Sequence, residues 1–119
     1  QIEKMGQWVK GKSHDTFGPV GPYLVTKDEI NDVNNLNMEL DLNGERMQTG
    51  NTKTMIFNVD HIVSYVSRYM SLQPGDIITT GTPPGVGMGM KPQKFLKAGD
   101  EMRLSIELLG EQKSKVVAI

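Results

Sequence analysis

Met38-Glu39-Leu40-Asp41-Leu42-Asn43-Gly44-Glu45-Arg46-Met47-Gln48 is the stretch that decides the fold class. Met38, Leu40 and Leu42 alternate with Glu39 and Asp41, and a period of two puts each set on its own face of an extended strand. Asn43-Gly44 supplies the two residues that best tolerate the left-handed backbone of a type I′ turn, so the stretch predicts a β-hairpin. Further along, Lys97-Ala98-Gly99-Asp100 turns the chain into Met102, Leu104, Ile106 and Leu108, which alternate with Arg103, Ser105 and Glu107. Gly110-Glu111 then turns it back toward a last strand from Val116 to Ile119, a second hairpin. Tyr23-Leu24-Val25-Thr26 is a shorter strand candidate, and the β-branched run Ile77-Ile78-Thr79-Thr80 suits a buried strand.

Between the hairpins, Gly50-Asn51-Thr52 predicts a turn and Asn58 is placed to cap a helix. That helix carries Val59, Ile62, Val63, Val66 and Met70 on one face and stops before Gln73-Pro74-Gly75-Asp76. At the other end, Gln1-Ile2-Glu3-Lys4-Met5 reads as the interior of a helix, and a Gly/Pro-rich loop runs from Lys10 to Pro22. One main helix among several strands predicts a mostly β chain of the α+β class.

The 119 residues are enough for one domain or part of one. Thirteen basic and 14 acidic residues give a net charge of -1, and the basic ones are scattered, which disfavours nucleic-acid and membrane-surface partners. The absence of cysteine excludes disulfides, thiolate metal sites and a cysteine nucleophile, and fits a reducing cytoplasm. No apolar run has the length of a membrane span. The opening Gln1 in place of methionine suggests a piece of a longer chain.

Two loops could carry chemistry. In Gly11-Lys12-Ser13-His14-Asp15-Thr16-Phe17-Gly18-Pro19, a lysine among small residues could pair with an anion or donate to a developing oxyanion, although spacing alone favours a solvated lysine. In Thr79-Thr80-Gly81-Thr82-Pro83-Pro84-Gly85-Val86-Gly87, the Thr82 hydroxyl and nearby N–H groups could hold a carboxylate; a β-turn with a bulge serves equally well. The glycine spacing matches neither a phosphate loop nor a dinucleotide fingerprint. His14 beside Asp15 is not a catalytic pair, and His61, with Tyr65 four residues on, reads as a surface or boundary residue. Trp8 and the eight methionines read as core or gap-filling side chains. Asp28, Glu39, Asp41, Asp76, Asp100 and Glu107 lie in turns or on outward strand positions, with no metal cage.

Taken in order, Gln1, Trp8 to Pro22, Asn43 to Thr52 and Leu72 to Gly87 resemble the fumarylacetoacetate hydrolase family from end to end. The resemblance implies residues 1–119 are the C-terminal portion of a single catalytic domain, part of a mixed β-roll in a homodimer binding Mg²⁺, or Mn²⁺ or Ca²⁺. It implies that the metal ligands, a Glu-x-Glu pair and an aspartate, lie upstream of Gln1, leaving none here. By the same resemblance, Gln1 and Lys12 contact substrate oxygens, with Lys12 catalytic, while Gly81 and Thr82 bind a carboxylate or distal carbonyl. The implied substrate is a small 2-oxo, acylpyruvate-like acid whose developing enolate is stabilised by the cation and Lys12. That arrangement serves C–C hydrolysis, decarboxylation, hydration or isomerisation. The members most similar in look are the 2-hydroxyhepta-2,4-diene-1,7-dioate isomerase and ureidoglycolate lyase-like proteins. The alternative is a non-catalytic β-rich module that binds a small anion or a partner protein. For the enzyme, Lys12 and Thr82 are expected on one cleft, with an unpaired strand edge or apolar patch elsewhere.

Overall fold

The computed structural model describes residues 5–118. Four strands, β1 (Asn37–Leu42), β2 (Glu45–Asn51), β3 (Glu101–Ile106) and β4 (Gly110–Lys115), form one antiparallel sheet in the order β2-β1-β3-β4. Two helices, α1 (Trp8–Lys12) and α2 (Val59–Val66), accompany it, so the α+β class holds.

The hairpin forms as its residues dictate: Asn43 and Gly44 take φ values of 52° and 82°, the left-handed pair of a type I′ turn. Asn43 also ties the hairpin to β3. Its side-chain amide donates to Asp100 at 2.9 Å while its oxygen accepts from the Glu101 N–H at 2.9 Å. The alternation then sorts the sheet into two faces. Leu42 is buried, and Met38, Leu40, Met102, Leu104 and Ile106 are half-buried on the apolar face, with Ile30 and Leu36 completing the small core. The other face is a charged ladder. Arg46 pairs with Glu39 at 2.6 Å and with Asp41, and Arg103 reaches Asp41 at 3.1 Å and also Glu111.

The β1–β2 pairing carries one irregularity. Leu42 pairs with Glu45 and Asp41 with Arg46, but Leu40 pairs with Gln48, so Met47 is an extra residue, a β-bulge. In an unbroken register Met47 would stand opposite Leu40 and Gln48 would point to the charged face. The bulge turns Gln48 to the apolar face instead.

Polar side chains lock the connections. The Thr52 hydroxyl accepts from the Leu36 N–H at 2.8 Å and donates to the Val33 carbonyl at 2.9 Å. Asn58 caps α2 as expected, its oxygen accepting from the His61 N–H at 2.8 Å. Asn34 accepts from the Val59 N–H at 3.2 Å and ties the start of that helix to the segment that leads into β1.

Several expected boundaries are corrected. Tyr23–Thr26 and Ile77–Thr80 are not strands, because among the described residues no chain runs alongside to complete a ladder; Ile77 is 67% exposed. β2 continues through Gly50 and Asn51, and the predicted turn there becomes a short 3₁₀ turn at Thr52–Thr54. The return strand starts at Gly110, not at Val116, because Leu108 and Gly110 take positive φ and close the turn early. α2 ends at Val66, where the Ser67 hydroxyl donates back to the Ser64 carbonyl at 2.9 Å, leaving Met70 beyond the helix. Of the expected helix interior Gln1–Met5, all but Met5 lies outside the described residues; Met5 and Gly6 take left-handed φ of 58° and 77°, and α1 begins at Trp8 and runs into the expected loop as far as Lys12. Trp8 is 64% exposed and is not a core residue, and Met5, Met70 and Met88 are exposed as well.

Candidate functional site

The loop after Gly81 lies on β2, and backbone contact places it there. The Gln48 side chain, turned by the Met47 bulge, donates from Nε2 to the Thr82 hydroxyl at 2.8 Å and to the Pro83 carbonyl at 2.6 Å. Gly50 receives Pro83: a Cβ at Gly50 would sit 2.6 Å from the Pro83 Cβ. Gly85, at φ 109°, packs so closely on the bulge that a Cβ would overlap the Met47 carbonyl oxygen. Gly87 lies equally close to the Lys94 carbonyl, and the Lys94 N–H donates to the Gly87 carbonyl at 3.0 Å. Lys94 then pairs through Nζ with Glu45 at 2.6 Å. The open edge of β2 is thus covered by residues 82–94.

The loop lines an open surface hollow of about 410 Å³ formed by Thr82, Pro83, Pro84, Gly85, Val86, Gly89 and Met90. Its chemistry is one hydroxyl set in an apolar wall, which can fix one oxygen of a small polar ligand. A second hollow, of about 310 Å³, lies between residues 20–25 and Leu104, Ile106 and Gln112, and no charged side chain lines it.

Among the described residues expected at the site, Thr82 alone lines the first hollow. Lys12 is the last residue of α1, where a positive charge suits the helix C-terminus; it is exposed, and among the described residues it makes no ion pair. It does not line the Thr82 cavity. Gly81 is exposed at the start of the loop. Gln1 lies outside the described residues. His61 is exposed and stacked on Phe57, ring centres 4.7 Å apart, consistent with a surface histidine. Gln48 was not among the expected site residues. An unbroken hairpin would pair Met47 with Leu40, apolar on apolar, so nothing in the alternation betrays the bulge.

The described residues do not suit a divalent cation: no three His, Asp or Glu side chains converge among them. Several of their carboxylates are already engaged. Asp41 is held below the usual carboxylate range, first by its hydrogen bond from Arg46 and then by Arg103. Glu111 is lowered chiefly by Arg103, and Asp100 chiefly by the Asn43 amide. Asp76 accepts from the Gln73 N–H at 2.8 Å and Glu107 from the Asn37 amide at 2.9 Å.

Fold, loop and cavity together define an α+β segment that sets a threonine hydroxyl, held by Gln48, in an apolar hollow. The chain belongs to the fumarylacetoacetate hydrolase family: the family model described as fumarylacetoacetate (FAA) hydrolase C-terminal matches residues 1–117. It is 62% identical over 117 residues to 2,4-didehydro-3-deoxy-L-rhamnonate hydrolase of Sphingomonas sp. (strain SKA58), across 98% of this chain and 41% of that protein. The 2-hydroxyhepta-2,4-diene-1,7-dioate isomerase of Mycobacterium marinum superposes with a TM-score of 0.84 at 38% identity, over 98% of this chain and 42% of that one. Maleylpyruvate hydrolase of Sphingobium sp. SYK-6, in complex with manganese (II) ion and pyruvate, gives a TM-score of 0.80 at 40% identity, over 87% of this chain and 37% of that one. The chain therefore spans well under half the length of these relatives, which include both hydrolases and an isomerase. Among the described residues no helix is long and apolar enough to cross a membrane.

Proposed function

We propose that this chain forms the substrate-facing wall of an enzyme that acts on small 2-oxo, acylpyruvate-like acids. The observation that carries this is the Thr82 hydroxyl, fixed by Gln48 at the cavity on β2, in a chain 62% identical to a hydrolase of this family. Thr82, with the Gly81 backbone, binds a carboxylate or distal carbonyl of the substrate. Lys12 and Gln1 address the oxygens nearer the reacting carbons, where the ammonium of Lys12 favours negative charge developing on oxygen. A divalent cation, Mg²⁺ or Mn²⁺, belongs to this proposal, supported by the manganese and pyruvate of the maleylpyruvate hydrolase. Its ligands are not among the residues described. Acting as a cytoplasmic homodimer belongs to the same proposal.

The test uses the complete encoded polypeptide, supplied with Mg²⁺ or Mn²⁺ and offered oxaloacetate and a series of acylpyruvates. Turnover of at least one 2-oxo acid is expected. Thr82→Val is expected to raise KM roughly tenfold or more with a smaller change in kcat, the pattern of a lost binding contact. A polypeptide that turns over no 2-oxo acid would overturn the proposal in favour of a non-catalytic module, and a Thr82→Val variant with unchanged KM would remove Thr82 from the substrate-facing wall.

A further inference from the structure

We infer that Gln48 is a positioning residue that sets the direction of the Thr82 proton, and so selects a hydrogen-bond acceptor on the ligand at that point. The inference rests on the proposed contact between Thr82 and substrate.

The orientation of the Gln48 amide is fixed by its partners. A carbonyl oxygen can only accept, so the atom 2.6 Å from the Pro83 carbonyl must be the NH₂ nitrogen. The same nitrogen lies 2.8 Å from the Thr82 hydroxyl oxygen. Its two hydrogens are thereby assigned, one to each oxygen, and Thr82 is the acceptor of that bond. Among the described residues the Thr82 hydroxyl has no acceptor for its own hydrogen. That hydrogen is left for a ligand in the cavity Thr82 lines. A hydroxyl is ordinarily ambivalent, able to donate or accept with equal ease. With its oxygen already receiving a hydrogen bond, this one is biased toward donating, and toward a carboxylate or carbonyl oxygen over an alcohol or amine hydrogen. Donation into the oxygen also polarises the O–H bond outward.

The geometry that delivers Gln48 is itself specific. The Met47 bulge rotates Gln48 out of the charged ladder, and the same bulge presents the Met47 carbonyl against which Gly85 packs. One extra residue in β2 therefore supplies both the amide that orients Thr82 and a surface that seats the loop. The ligand chemistry selected is an anionic or carbonyl oxygen at the distal end of the substrate.

A double-mutant cycle in the complete encoded polypeptide tests this, with Gln48→Leu, Thr82→Val and both together, reading KM, kcat and thermal stability. Gln48→Leu is expected to raise KM on the order of tenfold in the wild-type background, and less than about twofold in the Thr82→Val background. A residue that merely supports the fold would give the same factor in both. Gln48→Glu serves as a second variant that keeps the side-chain shape, because a carboxylate there accepts the Thr82 proton and turns it away from the ligand. Its expected KM penalty exceeds that of Gln48→Leu. If Thr82→Val raises KM but Gln48→Leu adds its full factor on top, the inference is lost and the proposed site survives. If Thr82→Val leaves KM unchanged, both are lost. A Gln48→Glu variant that is folded and binds as well as wild type also overturns the inference.

Discussion

Replacing Gly85 by alanine should free the loop that carries Thr82 from the sheet beneath it. At φ 109°, an alanine is held in a conformation that costs roughly 1–3 kcal/mol. Its Cβ would also overlap the Met47 carbonyl oxygen and come within 3.0 Å of the carbonyl carbon. Overpacking of this kind adds about 1–3 kcal/mol. Met47 cannot retreat cheaply, since β2 is hydrogen-bonded to β1 on both sides of the bulge. The loop has less to lose. Two hydrogen bonds from Gln48 hold its start, each contributing about 1 kcal/mol net, and the solvent-screened pair of Lys94 with Glu45 adds little at its far end. The penalty therefore matches or exceeds what holds the loop down, and undocking is the cheaper response. In the complete polypeptide, hydrogen exchange of the Gly89, Met90 and Lys94 amides, which donate to Val86 and Gly87 carbonyls, should accelerate, while the β1–β3 ladder stays protected. Gly89→Ala is the control, because a Cβ there meets nothing within 4 Å and the backbone is not left-handed. Equal protection of the loop in Gly85→Ala and wild type, or equal loss in Gly89→Ala, would refute the close-packing account.

Two other outcomes rest on polar contacts. Asn58→Ala removes the side-chain oxygen that accepts the His61 N–H and should cost about 1 kcal/mol, whereas Asn58→Gly should cost a few tenths, measured by denaturant unfolding. The Asp41 carboxyl is held low in the folded chain by Arg46 and Arg103, so its contribution is present above the unfolded value of about 3.9 and is lost as pH falls through the folded one. Thermal stability should therefore decline below about pH 4, and Asp41→Asn should flatten that acid limb in part. Glu111, Asp100 and Asp28, also lowered, retain the remainder. An acid limb identical in Asp41→Asn and wild type would show that the ladder contributes nothing.

What could be read from the sequence is what local chemistry decides. The Asn43-Gly44 turn, the alternation of β1 and β3 and the Asn58 cap each depend on residues within a few positions of one another, and all are present. The misplacements come where an element needs a neighbour that periodicity does not specify. Ile77–Thr80 has strand composition but no adjacent strand among the described residues, and Leu108 continues an alternation that a left-handed turn interrupts. The candidate site divides the same way. Thr82 was legible from its place in a glycine- and proline-rich loop, but its partner was not. Gln48 lies 34 positions away and reaches Thr82 only through a register change.

That register change explains why the loop can tolerate so few side chains where it touches the sheet and several where it lines the cavity. Its seat is made by Gly50 against Pro83 and Gly85 against the Met47 carbonyl, and Gly87 packs within the loop on the Lys94 carbonyl. Carbonyl groups are present whatever the side chain, so substitution at Met47 or Lys94 leaves the seat in place, whereas any side chain at Gly85 destroys it. The cavity wall, by contrast, is Val86 and Met90, whose shapes can change without moving the backbone that holds Thr82. Position and specificity are thereby assigned to different atoms. On the proposed reading, the backbone and Gln48 fix where the hydroxyl sits and which way it donates, and the apolar wall is left to set the size of the group that fits beside it.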